Sequence, residues 1–147
     1  MIVSECPFCA IARGDGQASV VHADDAVIAF MAARPAVPGH VLVVPREHVS
    51  GLELLDEELG ARMWAAAHRI ARALRRSELR CAGVNLFLAD GRAASQEVFH
   101  AHLHVLPRFA DDGFRVEARW GAPERGELDT GAAAVRAGLA ALAAEGG

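Results

Sequence analysis

Histidine alternates with apolar residues in the stretch QEVFHAHLHVLPRF, which runs from Gln96 to Phe109. Because successive side chains of a β-strand point to opposite faces, this stretch predicts a strand with His100, His102 and His104 on one face. The apolar residues of the other face, which would pack, are Ala101, Leu103 and Val105. Three imidazoles spaced about 7 Å apart would hinder one another's protonation, an arrangement with little structural purpose. The pattern therefore indicates a functional site.

Two kinds of chemistry fit three histidines on one strand face. In the first, all three imidazoles bind one catalytic zinc ion that keeps an open position for water. In the second, the rings divide the work, so that one acts as nucleophile or base and another stabilises an anion. The strand alone does not decide between them.

A second motif, CPFC, places Cys6 and Cys9 at the spacing of a zinc knuckle. In a reducing compartment, a metal explains such a pair better than a disulfide does. The chain has one further cysteine and no second CxxC motif, so a zinc ion would need two more ligands from elsewhere. The candidates are the histidines of PREHV and FHAHLH.

Composition excludes several other classes of protein. The chain has 147 residues, enough for one domain with its own core, and its formal net charge is −4. Without a dense basic patch, we expect no binding to polymeric nucleic acid. All fifteen basic residues are arginines and tyrosine is absent, which excludes a Schiff-base lysine, a phosphate-loop lysine and a tyrosine nucleophile.

The sequence also predicts where the protein works. No apolar run reaches the roughly 18 residues that span a bilayer, and the first ten residues lack a charged segment followed by an apolar one. We therefore expect a cytoplasmic protein with no membrane partner.

The order of the predicted elements indicates an α+β fold. A short first helix ends at Gly14, and a longer one runs from Asp56, its N-cap, to Arg76. Five predicted strands lie in SVVHADDAVIAFMA, as a hairpin, and in GHVLVVP, Gly83 to Ala89 and the histidine stretch. FRVEARW alternates and indicates a short extra strand, and DTGAAAVRAGLAALAA predicts a final helix with Val135, Leu139 and Leu142 on one face. Antiparallel strands with one long inserted helix make the class α+β.

Three blocks of the sequence, taken in order, resemble the histidine triad proteins. They are CPFCAIARG, DDAVIAFMAARPAVPGHVLVVPREHV and ADGRAASQEVFHAHLHVLPRF, in which FHAHLHVLPR matches the family's alternating signature. The resemblance covers roughly Cys6 to Phe109. It implies a five-stranded antiparallel sheet and a homodimer formed by joining two such sheets. We accordingly expect a histidine triad domain over 1–110 and a C-terminal extension over 111–147 that packs on the same domain.

The resemblance also implies how the histidine stretch would act on a nucleotide substrate. His102 would attack the α-phosphorus and form a nucleotidyl-imidazole intermediate that water hydrolyses. His104 would bind the phosphate oxygens. The family pattern gives supporting roles to Gln96, which would contact the phosphoryl group or the bridging atom, to the backbone N–H groups of Glu97 and Val98, and to His40 behind the site.

The chain also resembles the family members that carry CxxC, which use it to bind a structural zinc ion. Carried over to this sequence, the resemblance implies a closed tetrahedral site made by Cys6, Cys9, His48 and His100. Such a site would hold the N-terminus rigidly against the catalytic strand.

The same resemblance implies a substrate pocket, although this sequence differs from the family pattern at several of its positions. The residues expected to wall the base are Phe8, Ile11, Phe30 and Ala33. Ala32 stands where relatives often have an acid that holds the ribose, and Ala89 where they often have asparagine. Either Asp90 holds the ribose instead, or the preferred substrate is not an ordinary nucleoside. Ser95 stands where glycine is usual, and Glu97 where a small hydroxyl residue is common, which leaves the leaving group open.

Three functions are compatible with this sequence. The first is a nucleotidyl hydrolase or transferase, acting on phosphoramidates, dinucleoside polyphosphates or similar nucleotides. The second is a nucleotide sensor or scaffold that turns over weakly or not at all. The third is a hydrolase that uses a triad-bound zinc ion without a covalent enzyme intermediate. The set of His102, His104 and Gln96 favours the first function over the second, and CxxC with His48 favours it over the third.

Overall fold

The computed structural model describes residues 5–146. Five strands and three helices make up the fold, together with two short 3-10 turns at Leu52–Leu54 and Arg92–Ala94. In chain order they are α1 (Pro7–Arg13), β1 (Val20–Ala23), β2 (Val27–Met31), β3 (Val41–Pro45), α2 (Glu57–Arg76), β4 (Gly83–Leu88), β5 (Leu103–Arg108) and α3 (Arg125–Glu145).

The five strands form one antiparallel sheet in the order β1, β2, β3, β5, β4. β3 and β5 are neighbours, and Leu42 pairs with His104 across them. The predicted α+β class with a five-stranded antiparallel sheet is therefore confirmed.

Helices cover both faces of this sheet. The residues on one face pack under α2, among them Val27, Ala29, Val41 and Val43. Their alternate neighbours pack with α1 on the other face, among them Ile28, Phe30, Leu42 and Val44. Because side chains alternate along a strand, apolar residues at consecutive positions in β2 and β3 fill both layers.

The long helix begins where the sequence predicts. The Asp56 side chain accepts hydrogen bonds from the backbone N–H groups of Glu58 and Leu59, at 3.0 and 3.2 Å. These bonds satisfy donors that the first turn leaves free. The acidic first turn and the arginines of the last turn, Arg75 and Arg76, suit the helix dipole.

The histidine stretch departs from its prediction at one end. β5 begins only at Leu103, so His100 and His102 precede the strand. The reason is a competing partner: the backbone N–H of Ala101 donates to the Val49 carbonyl, outside the sheet. Ala101 and Val105 are buried, as the apolar face requires.

The extra strand predicted in FRVEARW is wrong. Asp111 and Gly113 turn the chain with positive φ angles of 55° and 75°. The Phe114 carbonyl then accepts a hydrogen bond from Arg108 at 2.6 Å. Val116 and Trp120 are 66% and 84% exposed, so alternation here does not reflect a buried sheet face.

The chain divides into two compact units after Phe114. The second unit contains α3, whose predicted helix is confirmed. Val135, Leu139 and Leu142 are each more than half exposed. The packing of 111–147 on the first domain stays a prediction. Within residues 5–146, no helix combines the length and hydrophobicity needed to cross a membrane.

Candidate functional site

Two cysteines and two histidines converge where α1 meets the loops after β3 and before β5. The metal-binding atoms of Cys6, Cys9, His48 and His100 all lie within 4.8 Å of one another. The His100 Nδ1 atom is 3.5 Å from both sulfur atoms, and Cys9 Sγ is 3.2 Å from His48 Nδ1. All four residues were identified from the sequence resemblance.

The geometry and chemistry of this cluster fit a structural zinc site. In tetrahedral zinc coordination, a sulfur and a nitrogen ligand lie about 3.5 Å apart. The other nitrogen of His100, Nε2, donates to the Pro45 carbonyl at 2.7 Å. That bond keeps the proton on Nε2 and leaves the Nδ1 lone pair for the metal.

Without a metal, the same cluster disfavours the thiolate. Burial, followed by the neighbouring Cys6, raises the pKa of Cys9 to about 11. A divalent cation reverses this preference, because it binds the thiolate directly. Binding of the cation would therefore release the thiol proton of Cys9.

His102 lies just past this cluster and is held by the backbone. Its Nδ1 donates to the His100 carbonyl at 2.7 Å. A neutral imidazole with its proton on Nδ1 has a free lone pair on Nε2. Burial lowers the pKa of His102, which favours this neutral form.

His104 takes the opposite tautomer through His40. The backbone N–H of Ala36 donates to His40 Nδ1 at 3.1 Å, so the His40 proton is on Nε2. His40 Nε2 lies 2.9 Å from His104 Nδ1 and donates to it. His104 therefore carries its own proton on Nε2. The adjacent imidazoles of His102 and His104, 4.8 Å apart between centroids, thus offer one lone pair and one N–H donor.

The two rings open into a cavity of about 380 Å³. Five residues expected at the site from the sequence line this reactive cavity beside them, namely Phe8, Ala33, His40, Glu97 and Val98. Arg34, Leu42, Phe87 and Ser95 also line it. Arg34 is the permanently charged cation of the lining, and nothing in the sequence pattern singled it out among fifteen arginines.

An adjoining cavity of about 670 Å³ is mostly apolar. It is lined by Ile11 and Phe30, and it shares Phe8, Ala32, Ala33 and Leu42 with the reactive cavity. The four residues expected to wall a base therefore lie together, beside the histidines. The shared boundary has no polar side chain.

Gln96 and Asp90 line a third cavity and not the reactive one. The Gln96 amide accepts from the Gly91 N–H at 2.8 Å and donates to the carbonyls of Ser50 and Val98. Asp90 accepts from the Leu52 N–H at 3.0 Å. The Gln96 side chain thus does not reach the histidine pair, where the resemblance placed it, and Asp90, the alternative partner for the ribose, also lies outside the reactive cavity.

Comparison with known proteins gives consistent matches. Residues 13–111 match the HIT domain family. A HIT-like protein of Borreliella burgdorferi is 40% identical over 111 residues, which cover 75% of this chain and 80% of that protein. A zinc-bound histidine triad family protein from Mycobacterium smegmatis has a TM-score of 0.73 at 40% identity, covering 86% of this chain and 88% of that one. A HIT family hydrolase from Legionella pneumophila has a TM-score of 0.62 at 35% identity, covering 69% of this chain and 91% of that one.

Proposed function

Because the chain belongs to the HIT family, we propose that it is a nucleotidyl hydrolase or transferase that attacks the α-phosphate of a nucleotide through His102. The observation that carries the proposal is the pair of opposite tautomers at His102 and His104. A lone pair and an N–H donor on neighbouring rings suit attack on phosphorus and binding of its oxygens. The hydrolase from Legionella pneumophila supports the same reaction class.

In the first step, His102 Nε2 bonds to the α-phosphorus and the leaving group departs with the electrons of its bond. The proton on Nδ1 stays hydrogen-bonded to the His100 carbonyl, which stabilises the positive charge of the substituted ring. Water then attacks the phosphorus, the phosphorus–nitrogen bond breaks, and a nucleoside monophosphate is released. For a transferase, another acceptor replaces the water.

His104 and His40 act together in this scheme. His104 Nε2–H donates to a phosphate oxygen and favours the charge that develops there. His40 is a positioning residue, since its bond to His104 Nδ1 selects the tautomer with that donor. Phe8, Ile11, Phe30 and Ala33 hold the base in the adjoining cavity.

Zinc would serve structure in this scheme and would take no part in the reaction. Cys6, Cys9, His48 and His100 would hold it, and the bound ion would tie α1 to the segment that carries His102. Cys6 and Cys9 are not joined in a disulfide, as is usual in a reducing compartment. We therefore place the protein in the cytoplasm.

We also propose a homodimer in which two sheets join. β4 ends the strand order of the sheet, and an edge strand offers backbone groups for pairing with a second copy. Light scattering should give about twice the chain mass of 15.5 kDa. A mass equal to one chain would contradict the dimer without affecting the proposed reaction.

Mass spectrometry of quenched reactions tests the proposed function. The protein is mixed with adenosine 5′-phosphoramidate or diadenosine tetraphosphate, and wild type is compared with His102→Asn. We expect wild type to carry one added nucleoside monophosphate, or to release it, and the variant to do neither. The variant should keep its zinc, because His102 is not among the four ligands. Binding without adduct or release in wild type would indicate a nucleotide sensor instead.

A further inference from the structure

Apolar side chains on α3 form a stripe that the described chain leaves uncovered. Leu128, Val135, Leu139 and Leu142 are 45%, 64%, 61% and 56% exposed, and no residue of α3 is buried. Together with Ala132, they follow one another at intervals of four, three, four and three residues. This spacing repeats every seven residues, which is the period of a coiled-coil seam. The apolar stripe of α3 therefore has the pattern of a surface that packs on another helix.

Local interactions give α3 limited stability without such a partner. A capping box and many alanines favour the helix, but Gly131 and Gly138 lie in its interior, and each glycine costs about 1 kcal/mol relative to alanine. The ion pair of Arg125 and Asp129 is exposed and 3.8 Å long, and such pairs contribute little. Most helices in proteins owe their stability to the packing of an apolar face. We therefore expect the apolar stripe to be covered.

We propose that α3 pairs with α3 of a second copy of this chain in a two-stranded antiparallel coiled coil. In this arrangement Leu128 packs on Leu139 of the second copy, and Ala132 packs on Val135 of the second copy. Each contact occurs twice, because the pair is two-fold symmetric. The apolar stripe is thus complementary to itself, and a second copy of the chain is sufficient to cover it.

Charged residues beside the stripe distinguish the two possible orientations of the pair. The antiparallel pair brings Asp129 beside Arg136 of the second copy, and Arg136 makes no ion pair among residues 5–146. A parallel pair would place Arg125 against Arg125 and Glu124 beside Asp129, which are like charges. The antiparallel pair also brings Glu124 near Glu145, but only at the solvated ends of the helices, where single charges contribute little. The charges therefore favour the antiparallel orientation.

Disulfide cross-linking of the full chain tests this pair. A variant with both Leu128→Cys and Leu139→Cys is oxidised with glutathione disulfide, and the linked peptides are identified by mass spectrometry. Within one helix these positions are about 16 Å apart along the axis, too far for a disulfide, whose Cα atoms lie within about 7 Å. The native cysteines are buried, and oxidised wild type controls for them. We expect a covalent dimer linked between positions 128 and 139.

The matched control carries Thr130→Cys and Ala137→Cys. These two positions lie at matching heights in the antiparallel pair, but on the face of α3 opposite the stripe. The control should form no covalent dimer. Arg136→Asp, added to the first cysteine variant, should slow cross-linking by roughly fivefold, because two exposed ion pairs become pairs of like charges. Further addition of Asp129→Arg should restore the rate.

The remaining outcomes would overturn the inference. Absence of the link between positions 128 and 139 would show that another surface covers the stripe, and equal linking in the control would indicate random collision. Links between identical positions would indicate a parallel pair. None of these outcomes affects the proposed function, because α3 lies beyond residues 13–111, which match the HIT domain, and contains no residue of the candidate site. They are also independent of the sheet contact, since the cross-link reports on α3 directly.

Discussion

The three histidines of FHAHLH have identical side chains, and their hydrogen-bond partners give each a different state. His100 donates from Nε2 to the Pro45 carbonyl, and His102 donates from Nδ1 to the His100 carbonyl. His104 accepts at Nδ1 from His40. Because the tautomer of a neutral imidazole follows its partner, two backbone carbonyls and the His40 side chain assign the chemistry of the three rings. A substitution of a partner should therefore act through the ring that it orients.

His40 provides the clearest test at this scale. His40→Phe removes the donor to His104 Nδ1, so we expect kcat to fall by about 10- to 100-fold with KM little changed. His40→Gln offers a side-chain amide donor and should restore much of the rate. The measurement is steady-state hydrolysis of adenosine 5′-phosphoramidate.

His68→Phe is the matched control for these variants, since His68 is exposed on α2. It should behave like wild type. Equal loss of rate in His40→Phe and His40→Gln would show that His40 acts by packing alone and not through its donor.

The pH dependence of the rate forms a second prediction. Burial, followed by the charges of His102 and His40, lowers the pKa of His104 to about 4. Burial also lowers the pKa of His40, and Arg34 and Glu97 line the same cavity. His104 therefore stays neutral well below the ordinary histidine pKa of about 6.5. We expect kcat to change by less than about twofold between pH 7.5 and pH 6, measured with the phosphoramidate.

An acid limb of kcat centred near pH 6.5 that is present in wild type and absent from His104→Asn would contradict this assignment. The same shift has a consequence for folding. Between the lowered folded-state pKa and the unfolded value of about 6.5, the unfolded chain binds more protons. The contribution of His104 to stability is thus complete above about pH 6.5 and is lost as the pH falls toward 4.

The sequence motifs predicted which histidines and cysteines lie together, but the sequence did not predict where the side chains of Gln96 and Asp90 reach. The alternating histidines and CxxC pointed to the zinc cluster and to the neighbouring pair of His102 and His104, because these groups have few other uses at such spacing. Gln96 and Asp90 reach elsewhere, since backbone groups of Ser50 and Leu52 engage them. Partners that lie about 40 residues away in the chain leave no local pattern to read.

At the scale of elements, α1 depends on contacts beyond its own sequence. It has seven residues, too few for a helix that is stable in isolation. Phe8 packs edge to face on Phe30, with centroids 5.4 Å apart, and Cys9 lies within the metal cluster. Bound zinc would therefore hold α1 against the sheet and keep Phe8 at both cavities.

Loss of one cysteine ligand tests this coupling. Cys9→Ser should reduce bound zinc from one per chain to near zero and lower Tm by at least about 5 °C, because metal binding contributes to folding. Elemental analysis and calorimetry measure the two quantities. Treatment of wild type with a strong chelator should give the same Tm shift.

Cys81→Ser is the matched control, since Cys81 is buried in the core under α2 and lies outside the cluster. It should retain one zinc ion. Retention of zinc by Cys9→Ser, or loss by Cys81→Ser, would contradict the assigned ligand set.

Elements with local signals were predicted well. The Asp56 cap and the helical spacing after it define α2 within the segment itself. The predicted β5 began too early, because the Ala101 N–H donates to the Val49 carbonyl, which lies far away in the chain. FRVEARW has the period of a strand, but Arg108 engages the Phe114 carbonyl and the segment beyond is exposed.

At the scale of the whole molecule, both sites lie in the first unit of the chain. The last residue of the candidate site, His104, precedes the division after Phe114 by ten positions. The core clusters under α1 and α2 likewise contain residues up to Phe109. We therefore expect the first unit to fold and bind zinc by itself.

Arg108 holds the last residues of the first unit. Its guanidinium donates to both carboxylate oxygens of Asp112, at 2.7 and 3.0 Å, and to the Phe114 carbonyl. Asp112 is 5% exposed at its side chain, and its bond to Arg108 is the main reason that its pKa is lowered. A boundary at residue 110, as the sequence resemblance implies, would remove these partners of Arg108.

Two truncated chains separate the alternatives. A chain that ends at Phe114 should bind one zinc ion and unfold cooperatively, since it keeps every contact of Arg108 described above. A chain that ends at Ala110 should be less stable by about 2 kcal/mol, because a charged hydrogen-bonded pair is broken. Urea unfolding and zinc content measure the difference. Equal stability of the two would place the boundary at 110, whereas loss of zinc from the longer chain would show that the first unit requires residues beyond Phe114.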